Sequence, residues 1–329
     1  MQNQNSSHHT IIDAIGNTPM VKLHRLSLNP LVNIYVKLEY LNPSHSIKDR
    51  IVHYIIDDAE KKGLLKPGGT IVESTSGNTG AAVAMLCASR GYHAILTMPD
   101  KVSQEKQNAL KAFGAEIVVA KTDASPDSPE HYVSLSKKIA KETPGSFRID
   151  QYDTKLNPKA HYESTAPEIW EQMNGDIDYF IASSSTGGTI SGVGKYLKER
   201  NEKIQVIMPD PVGSVYYHYF KTGKLPETKG CTYHLEGIGE DHIAGAIDLS
   251  IVDDVMEVSD KQAFHICREL AQKEGILGGG SSGANVWAAL EIAKKCKKKT
   301  NIVTIICDSG IKYLSKIYDD QWMKKQKLL

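Results

Sequence analysis

The chain has 329 residues, with 39 basic and 39 acidic side chains, a formal net charge of zero and 40% hydrophobic residues. This composition can fill a sizeable core in about two domains, and it gives no overall electrostatic attraction to nucleic acid. No uninterrupted apolar stretch is long enough to predict a membrane span. The five cysteines are scattered without a C-x-x-C pair, which is typical of reduced thiols in the cytoplasm and predicts neither a disulfide scaffold nor a metal site.

The segment Met1 to Thr10 is polar and lacks the basic and apolar parts of a secretory signal, so it is predicted to be a frayed tail. Beyond it, short apolar runs alternate with helical patterns, as in a mostly parallel α/β protein. The predicted strands cover residues 34–38, 70–73, 94–98, 116–119, 179–182, 204–208 and 301–306, and helices are predicted between them.

The segment Ser46-Ile47-Lys48-Asp49-Arg50 contains a candidate nucleophilic amine. Ser46 and Asp49 have the spacing of a helix capping box, and apolar residues recur behind them with helical spacing. The pattern predicts Lys48 in a first helical turn, where the positive end of the helix dipole disfavours the ammonium and favours imine chemistry with an aldehyde cofactor. A lysine near a helix start is also common as a solvated side chain, so the interpretation depends on other motifs.

Three segments rich in Gly, Ser and Thr supply those motifs: residues 75–79, 183–189 and 278–283. Glycines let backbone N–H groups converge on an anion, hydroxyls add donors, and a helix N-terminus adds a favourable field. The segment 183–189 is therefore predicted to bind a phosphate, and 75–79 a carboxylate. Each segment alone is also compatible with an ordinary turn, but the lysine motif and the three segments in this order favour a functional site.

With these motifs in place, the sequence resembles the fold-type-II pyridoxal-phosphate enzymes of the cysteine synthase and cystathionine β-synthase group. The resemblance runs from Ile15-Gly16-Asn17-Thr18-Pro19-Met20 to Asp308-Ser309. Cysteine synthases usually carry a glutamine at the position of Glu236. Four features are more similar to cystathionine β-synthases: Asp150-Gln151-Tyr152 with Asn157-Pro158 and Ala160-His161-Tyr162, Glu236-Gly237-Ile238-Gly239 with Asp241, Glu274-Gly275-Ile276-Leu277, and Asp320-Gln321-Trp322-Met323.

The resemblance implies pyridoxal 5′-phosphate as the cofactor and a role for each matching residue. Lys48 would bind the cofactor aldehyde and shuttle the substrate Cα proton, Asn78 would hydrogen-bond the ring oxygen, and Ser281 would face the pyridine nitrogen. The 5′-phosphate would be bound by Ser185, Thr186, Gly187, Gly188 and Thr189. The substrate carboxylate would be bound by Thr75, Ser76, Gly77, Thr79 and Gln151, and Gly237 would lie beside the substrate amine.

A serine at the pyridine nitrogen has a chemical consequence of its own. An aspartate there would keep the nitrogen protonated and let the ring withdraw charge fully, whereas a neutral hydroxyl cannot supply that charge. Ser281 therefore favours β-elimination and β-replacement over transamination.

The match has three departures from the usual pattern of the family. Ser44 and His45 stand where two glycines are usual, and His45 is interpreted either as a proton donor to a departing hydroxyl or as a solvated loop residue. Ser183-Ser184-Ser185 replaces a more glycine-rich approach to the phosphate segment. Glu240 occupies a position where cystathionine β-synthases often have tyrosine, which leaves the second substrate open.

The resemblance also implies a division into domains, with 1–39 and 156–329 forming a larger domain, 40–155 an inserted smaller one, and the cofactor between them. It implies a homodimer. We expect no metal, no haem segment, no regulatory tandem domains, and no nucleic-acid or membrane partner; the basic run 294–299 is interpreted as the last turn of a helix.

The function implied is β-replacement on L-serine by homocysteine, giving cystathionine and water in the cytoplasm. The first alternative is cysteine synthesis from O-acetylserine or O-phosphoserine with sulfide. A second alternative, from another class, is a binding protein that has kept the scaffold and lost turnover, although the joint presence of Lys48, Asn78 and Ser281 argues against it.

Overall fold

The computed structural model describes residues 9–75, 77–100, 102–121, 128–227 and 232–329. It divides into two compact units, the first made of Met1–Asn17 and Asn42–Asp150, the second of Thr18–Leu41 and Gln151–Leu329. The units thus group the residues up to Asn17 with Asn42–Asp150. The domain boundaries inferred from the resemblance stay a prediction.

The strands follow the predicted apolar runs. In chain order they are β1 (Met20–Lys22), β2 (Val32–Leu38), β3 (Thr70–Ser74), β4 (His93–Pro99), β5 (Glu116–Ala120), β6 (Phe147–Arg148), β7 (Tyr179–Ile181), β8 (Gln205–Pro211), β9 (Asp254–Val258) and β10 (Thr300–Ile306). All seven predicted strands are confirmed to within a few residues, whereas β1, β6 and β9 were missed.

Helices fill most of the intervals between the strands. They are α1 (Lys48–Lys61), α2 (Asn78–Arg90), α3 (Gln104–Ala112), α4 (Tyr132–Glu142), α5 (Leu156–Ala160), α6 (Ala166–Gln172), α7 (Gly188–Arg200), α8 (Val215–Thr222), α9 (Asp260–Glu269), α10 (Gly280–Lys295) and α11 (Asp320–Lys325). Single π-type turns at His161–Thr165 and Leu270–Glu274 extend α5 and α9. The predicted α/β class with mostly parallel sheets is confirmed.

Two helical predictions need correction. The segment Ser281-Ser282-Gly283, predicted as a loop, lies in the first turn of α10, which begins at Gly280. The basic run 294–299 is only partly the end of that helix, because α10 stops at Lys295. A capping box of Ser259 and Gln262 starts α9, and the extension of this helix ends at Gly275, where φ is +70°.

The sheet of the first unit has the strand order β5-β4-β3-β6 among the described residues, and all its pairs are parallel. Helix α1 packs against α2 and buries one face of apolar side chains, because Ile51, Ile55 and Ile56 recur with helical spacing and are at most 1% exposed. Strand β3 has a neighbour on each side, so the segment after it leaves from the interior of the sheet.

The sheet of the second unit has the order β1-β2-β10-β7-β8-β9 within the described part of the chain. Only β1 pairs antiparallel there, and it pairs with β2. Strand β7 lies between β8, the next strand along the chain, and β10, the last strand of the chain. The direction in which successive strands are added to the sheet therefore changes at β7. In open α/β sheets, ligands bind beyond the carboxyl ends of strands at such a switch.

None of the helices in the described residues combines the length and the apolar character needed to cross a bilayer.

Candidate active site

The lysine motif lies at the start of α1 in the first unit. Lys48 is the first residue of the helix, in the turn where the sequence predicts it. The predicted capping box is wrong, since Ile47 occupies the cap position without a side-chain hydrogen bond. The Asp49 carboxylate instead accepts the Ser44 N–H at 2.7 Å and the Ser44 hydroxyl, because the chain turns back at His45, where φ is +64°. Asp49 therefore fixes the loop that precedes Lys48.

Asn42 links this loop to the N-terminal motif of the same unit. Its Oδ1 accepts the N–H of Gly16 at 2.9 Å, and its own side chain is 1% exposed. Gly16 has a φ of +86°, a conformation that favours glycine at this turn. Asn42 is not predicted from the sequence, because nothing in the spacing of 26 residues indicates this contact.

Lys37 is a buried lysine in the second unit and the obvious competitor for the role of the reactive amine. Its Nζ lies 2.8 Å from Glu168 Oε2, 2.8 Å from the Thr18 carbonyl oxygen and 3.0 Å from Gln172 Oε1. A carboxylate and two further acceptors favour the ammonium form, which is not a nucleophile. The surroundings of Lys37 therefore favour a structural role.

The turn between β3 and α2 carries the predicted carboxylate segment. The Thr75 N–H donates to the Thr97 carbonyl at 3.0 Å, and Thr75 Oγ1 accepts the Gly77 N–H at 3.3 Å. Helix α2 then begins at Asn78 from Gly77, without a side-chain cap, and Thr79 in its first turn is 2% exposed. Thr75, Gly77, Asn78 and Thr79 therefore share one turn, while the predicted residue Ser76 lies outside the described residues.

The predicted phosphate segment follows β7 in the second unit and leads into α7. Gly187 has a φ of +86°, and a Cβ atom there would lie 2.3 Å from the Cβ of Ile247, so both its conformation and its packing require glycine. A Cβ on Gly188, the first residue of α7, would lie 1.8 Å from Asn157 Oδ1. The backbone of this loop is therefore held in one close-packed path.

Side chains from distant parts of the second unit hold the phosphate segment in place. Asn285 Oδ1 accepts the Ser183 N–H at 2.7 Å, and its Nδ2 donates to the Ile305 carbonyl at 2.9 Å. The Gly239 N–H donates to the Ser184 carbonyl at 2.7 Å, and the Tyr216 hydroxyl donates to the Ser185 carbonyl at 2.6 Å. These contacts hold the Ser183 N–H and the Ser184 and Ser185 carbonyl groups, and they leave the later N–H groups of the segment at the start of α7.

Three hydroxyls of the segment, those of Ser185, Thr186 and Thr189, have side-chain partners of different kinds. Thr186 Oγ1 accepts the Asn157 Nδ2 at 3.0 Å, and Thr189 Oγ1 lies 3.2 Å from His161 Nε2. Ser185 Oγ donates to Glu240 Oε1 at 2.5 Å. Burial raises the pKa of the Glu240 carboxyl, and the hydrogen bond from Ser185 offsets part of this shift.

The remaining predicted residues also lie in the second unit. Ser281 is in the first turn of α10 and is 6% exposed. Gln151 is 6% exposed, and its backbone carbonyl accepts the Asn157 Nδ2 at 2.8 Å, which connects it to the anchor of Thr186. Gly237 lies in a bend with φ +77°, and a Cβ atom there would meet open space.

Three of the helix starts share a feature that suits anionic ligands. Helices α2, α7 and α10 each begin from a glycine, Gly77, Gly187 or Gly279, and none of the three has a side-chain cap. Helices α3, α8, α9 and α11 are capped by Ser103, Ser214, Ser259 and Asp319. The N–H groups at a helix start need acceptors, and a phosphate or carboxylate supplies them. The three predicted Gly-rich segments thus coincide with the three glycine-capped helix starts.

The predicted site residues are divided between the two units. The structure brings Thr75, Gly77, Asn78 and Thr79 together in the first unit, which also carries Lys48. In the second unit, contacts through Asn157 connect Gln151 with Thr186, and α7 continues directly from Gly187.

Comparison with known proteins places the chain in a family. Residues 11–308 match the model of the family described as pyridoxal-phosphate dependent enzyme. The chain is 44% identical to the cystathionine β-synthase of Apis mellifera over 97% of its own length and 63% of that relative, and 39% identical to cysteine synthase 1 of Neurospora crassa over 96% and 85%. The crystal structure of O-ureido-L-serine synthase superposes with a TM-score of 0.87 at 34% identity, over 97% of this chain and 100% of that one.

The chain belongs to the pyridoxal-phosphate dependent enzyme family, and the cofactor of that family is pyridoxal 5′-phosphate. The resemblance inferred from the motifs is confirmed. The chain spans less than two thirds of the length of the cystathionine β-synthase of Apis mellifera.

The residues of the chain fit this cofactor. The glycine-capped start of α7 offers N–H groups to a phosphate, and Ser183 Oγ is buried there without a protein partner. A bulkier residue at Gly187 or Gly188 would clash with Ile247 or Asn157. The donors at this position are therefore backbone N–H groups and not side chains of residues 187 and 188. These N–H and hydroxyl groups fit a phosphate monoester.

Proposed function

We propose that the chain catalyses β-replacement on L-serine by L-homocysteine, giving L-cystathionine and water. The observation that carries this proposal is the similarity to the cystathionine β-synthase of Apis mellifera, which covers 97% of the chain. Glu236, where cysteine synthases usually have glutamine, adds to this support, and its Oε1 lies 2.5 Å from Lys316 Nζ.

The proposed roles follow the position of each residue. Pyridoxal phosphate, when bound, supplies an electron sink for the carbanion at the substrate Cα. Lys48 holds the cofactor aldehyde and moves the Cα proton, Asn78 hydrogen-bonds the ring oxygen, and the neutral hydroxyl of Ser281 faces the pyridine nitrogen. The phosphate is bound by Ser185, Thr186, Gly187, Gly188 and Thr189, the substrate carboxylate by Thr75, Ser76, Gly77, Thr79 and Gln151, and the substrate amine lies beside Gly237.

The assembly and location are part of the same proposal. We propose a homodimer with the cofactor between the two predicted domains, acting in the cytoplasm. The four described cysteines Cys87, Cys267, Cys296 and Cys307 are free, which supports a reducing compartment, and Cys231 lies outside the described residues.

A second candidate is synthesis of cysteine from O-acetylserine or O-phosphoserine with sulfide. It is favoured by the 39% identity to cysteine synthase 1 of Neurospora crassa, which covers 85% of that relative. Both reactions need the same cofactor and the same carboxylate segment, so they differ only in the leaving group and the thiol.

An assay of each donor with each acceptor separates the two candidates. The purified protein is incubated with L-serine, O-acetylserine or O-phosphoserine and with homocysteine or sulfide, and the products are identified by mass spectrometry. We expect cystathionine from L-serine and homocysteine at the highest rate, and no product from the Lys48→Ala variant. Turnover of O-acetylserine and sulfide alone would refute the proposal in favour of the second candidate.

A further inference from the structure

Glu240 contacts the predicted phosphate segment, although a carboxylate and a phosphate are both anionic and repel each other. Its Oε1 accepts the hydroxyl of Ser185 at 2.5 Å, so a carboxylate lies one hydroxyl away from the proposed position of a phosphate. The backbone of Glu240 is fixed on both sides, because its N–H donates to Ser214 Oγ at 3.1 Å and its carbonyl accepts the Val215 N–H at 3.0 Å. The carboxylate is therefore held in place beside Ser185.

The surroundings of Glu240 leave its carboxyl with little solvent. Its side chain is 17% exposed, and the nearest cationic candidate is His242, whose Nδ1 lies 4.0 Å from Oε2 and 2.9 Å from Asp241 Oδ1. Three titratable groups influence the pKa of the Glu240 carboxyl: His242, Asp241 and Tyr152. The charge of Glu240 in turn influences the pKa values of Tyr216 and Tyr233. Four of these five groups are neutral or negative at neutral pH, so they do not offset an added negative charge.

A serine hydroxyl has one proton, so the Glu240 carboxylate and a phosphate compete for the one hydrogen bond that Ser185 can donate. While Glu240 is ionised, Ser185 donates that proton to the carboxylate and presents only lone pairs to a phosphate dianion. When Glu240 is protonated, its own O–H donates to Ser185 Oγ, and the Ser185 hydroxyl becomes free to donate to the phosphate. The proton comes from solvent, and no covalent bond other than that O–H forms or breaks.

We infer that Glu240 is a positioning residue that couples binding of the cofactor phosphate to the uptake of one proton by the protein. The inference rests on the proposed role of Ser185–Thr189 in phosphate binding. The raised pKa of Glu240, caused first by burial, brings protonation closer to neutral pH, and a neighbouring dianion raises it further.

The coupling has a definite sign. Affinity for the cofactor falls as the pH rises above the pKa of Glu240 in the cofactor-free protein, by up to about tenfold per pH unit until the pKa of the bound state is passed. A Glu240→Gln variant is uncharged at every pH, and its amide donates to Ser185 Oγ as the protonated acid does. This variant should therefore bind the cofactor more tightly than the wild type at pH 8.5, and the difference should shrink as the pH falls.

The test is isothermal titration calorimetry of the whole cofactor-free chain with pyridoxal 5′-phosphate and with 5′-deoxypyridoxal, which lacks the phosphate and keeps an open aldehyde, at pH 8 in buffers of different ionisation enthalpy. Imine chemistry at the lysine is common to both ligands, and the phosphate is already a dianion at pH 8, so the difference in proton uptake reports the protein's response to the phosphate. We expect the wild type to take up more protons with pyridoxal 5′-phosphate than with 5′-deoxypyridoxal. In Glu240→Gln the difference should vanish.

Two further variants make the outcomes distinguishable. Glu202→Gln removes an exposed carboxylate that is not among the groups acting on Glu240, and it should keep the wild-type proton uptake. Ser185→Ala should weaken binding of pyridoxal 5′-phosphate and leave that of 5′-deoxypyridoxal unchanged.

If Ser185→Ala affects both ligands equally, the phosphate role of the segment is wrong, and the inference falls with it. If Ser185→Ala acts on pyridoxal 5′-phosphate alone, but the wild type takes up equal numbers of protons with both ligands, the phosphate role stands and the inference is refuted. The wild-type comparison needs no variant, so a folding defect in Glu240→Gln does not prevent a decision.

Discussion

Asp210 illustrates the energetic cost of a single buried carboxyl. It lies at the carboxyl end of β8 with 1% exposure, and its Oδ2 accepts the Tyr217 N–H at 2.9 Å. Burial raises the pKa of Asp210 to about 7, well above its value in the unfolded chain. Between these two values the folded state binds a proton that the unfolded state does not, so the free energy of unfolding falls as the pH rises from about 4 through about 7.

Replacing Asp210 with asparagine should remove this pH dependence. The amide is neutral at every pH and can still accept the Tyr217 N–H through its oxygen. Between pH 5 and pH 8 the wild type should lose about 2–3 kcal/mol more stability than Asp210→Asn, measured by urea unfolding of the cofactor-free protein. Asp254→Asn, a half-exposed carboxylate on β9, is the control and should keep the wild-type slope; an unchanged slope in Asp210→Asn would contradict the assignment.

At the residue scale, the sequence predicts the place of Lys48 in its helix better than it predicts the contacts that support the surrounding loops. Lys48 lies in the predicted first turn, because local spacing determines where a helix starts. The Ser46–Asp49 capping box did not form, because a turn at His45 gave Asp49 a different partner. Asn285, which holds Ser183 from 102 residues away, was missed because no local pattern reports a contact between distant segments.

At the scale of elements, the packing of helix α7 determines the position of the predicted phosphate segment, because the segment leads directly into this helix. A Cβ atom on Gly192 would lie 2.1 Å from the Pro158 carbonyl oxygen and 2.9 Å from the Cβ of His161, so α7 packs directly on the backbone of α5. His161 is also the neighbour of Thr189. A shift of α7 therefore moves both the helix start and a hydroxyl of the segment.

The Gly192→Ala variant tests this packing. Overpacking should lower the free energy of unfolding by about 1–3 kcal/mol, and it should also weaken cofactor affinity through displacement of the start of α7. Urea unfolding and titration with pyridoxal 5′-phosphate measure the two effects. Lys195→Ala, on the exposed side of the same helix, should change stability by less than about 0.5 kcal/mol; equal behaviour of the two variants would show that the contact is not tight.

The elements that could be predicted are those with a clear apolar run. Strands β2, β3, β4, β5, β7, β8 and β10 follow such runs, because buried parallel strands need continuous apolar sequence. Strands β1 and β6 have only three and two residues, and β9 includes two acidic residues, so each gives a weak pattern. The first turn of α10 was mistaken for a loop because its glycines and serines suit both a turn and a helix start.

At the scale of the whole molecule, the chain repeats one arrangement in two units. Each has a sheet in which an interior strand, β3 or β7, leads through a Gly-rich segment into a helix that begins from glycine. The carboxyl ends of such strands are where ligands bind in this class of fold. The order of the strands in each sheet could not be predicted, since it depends on pairing between distant segments.

The central claim is that Lys48 is the amine that holds the cofactor aldehyde. Reduction of the cofactor-bound protein with borohydride, followed by proteolysis and mass spectrometry of the whole chain, identifies the lysine that becomes permanently modified. We predict modification of the peptide that contains Lys48 and of no other lysine, Lys37 included. Modification of a different lysine in the wild-type protein would contradict this account.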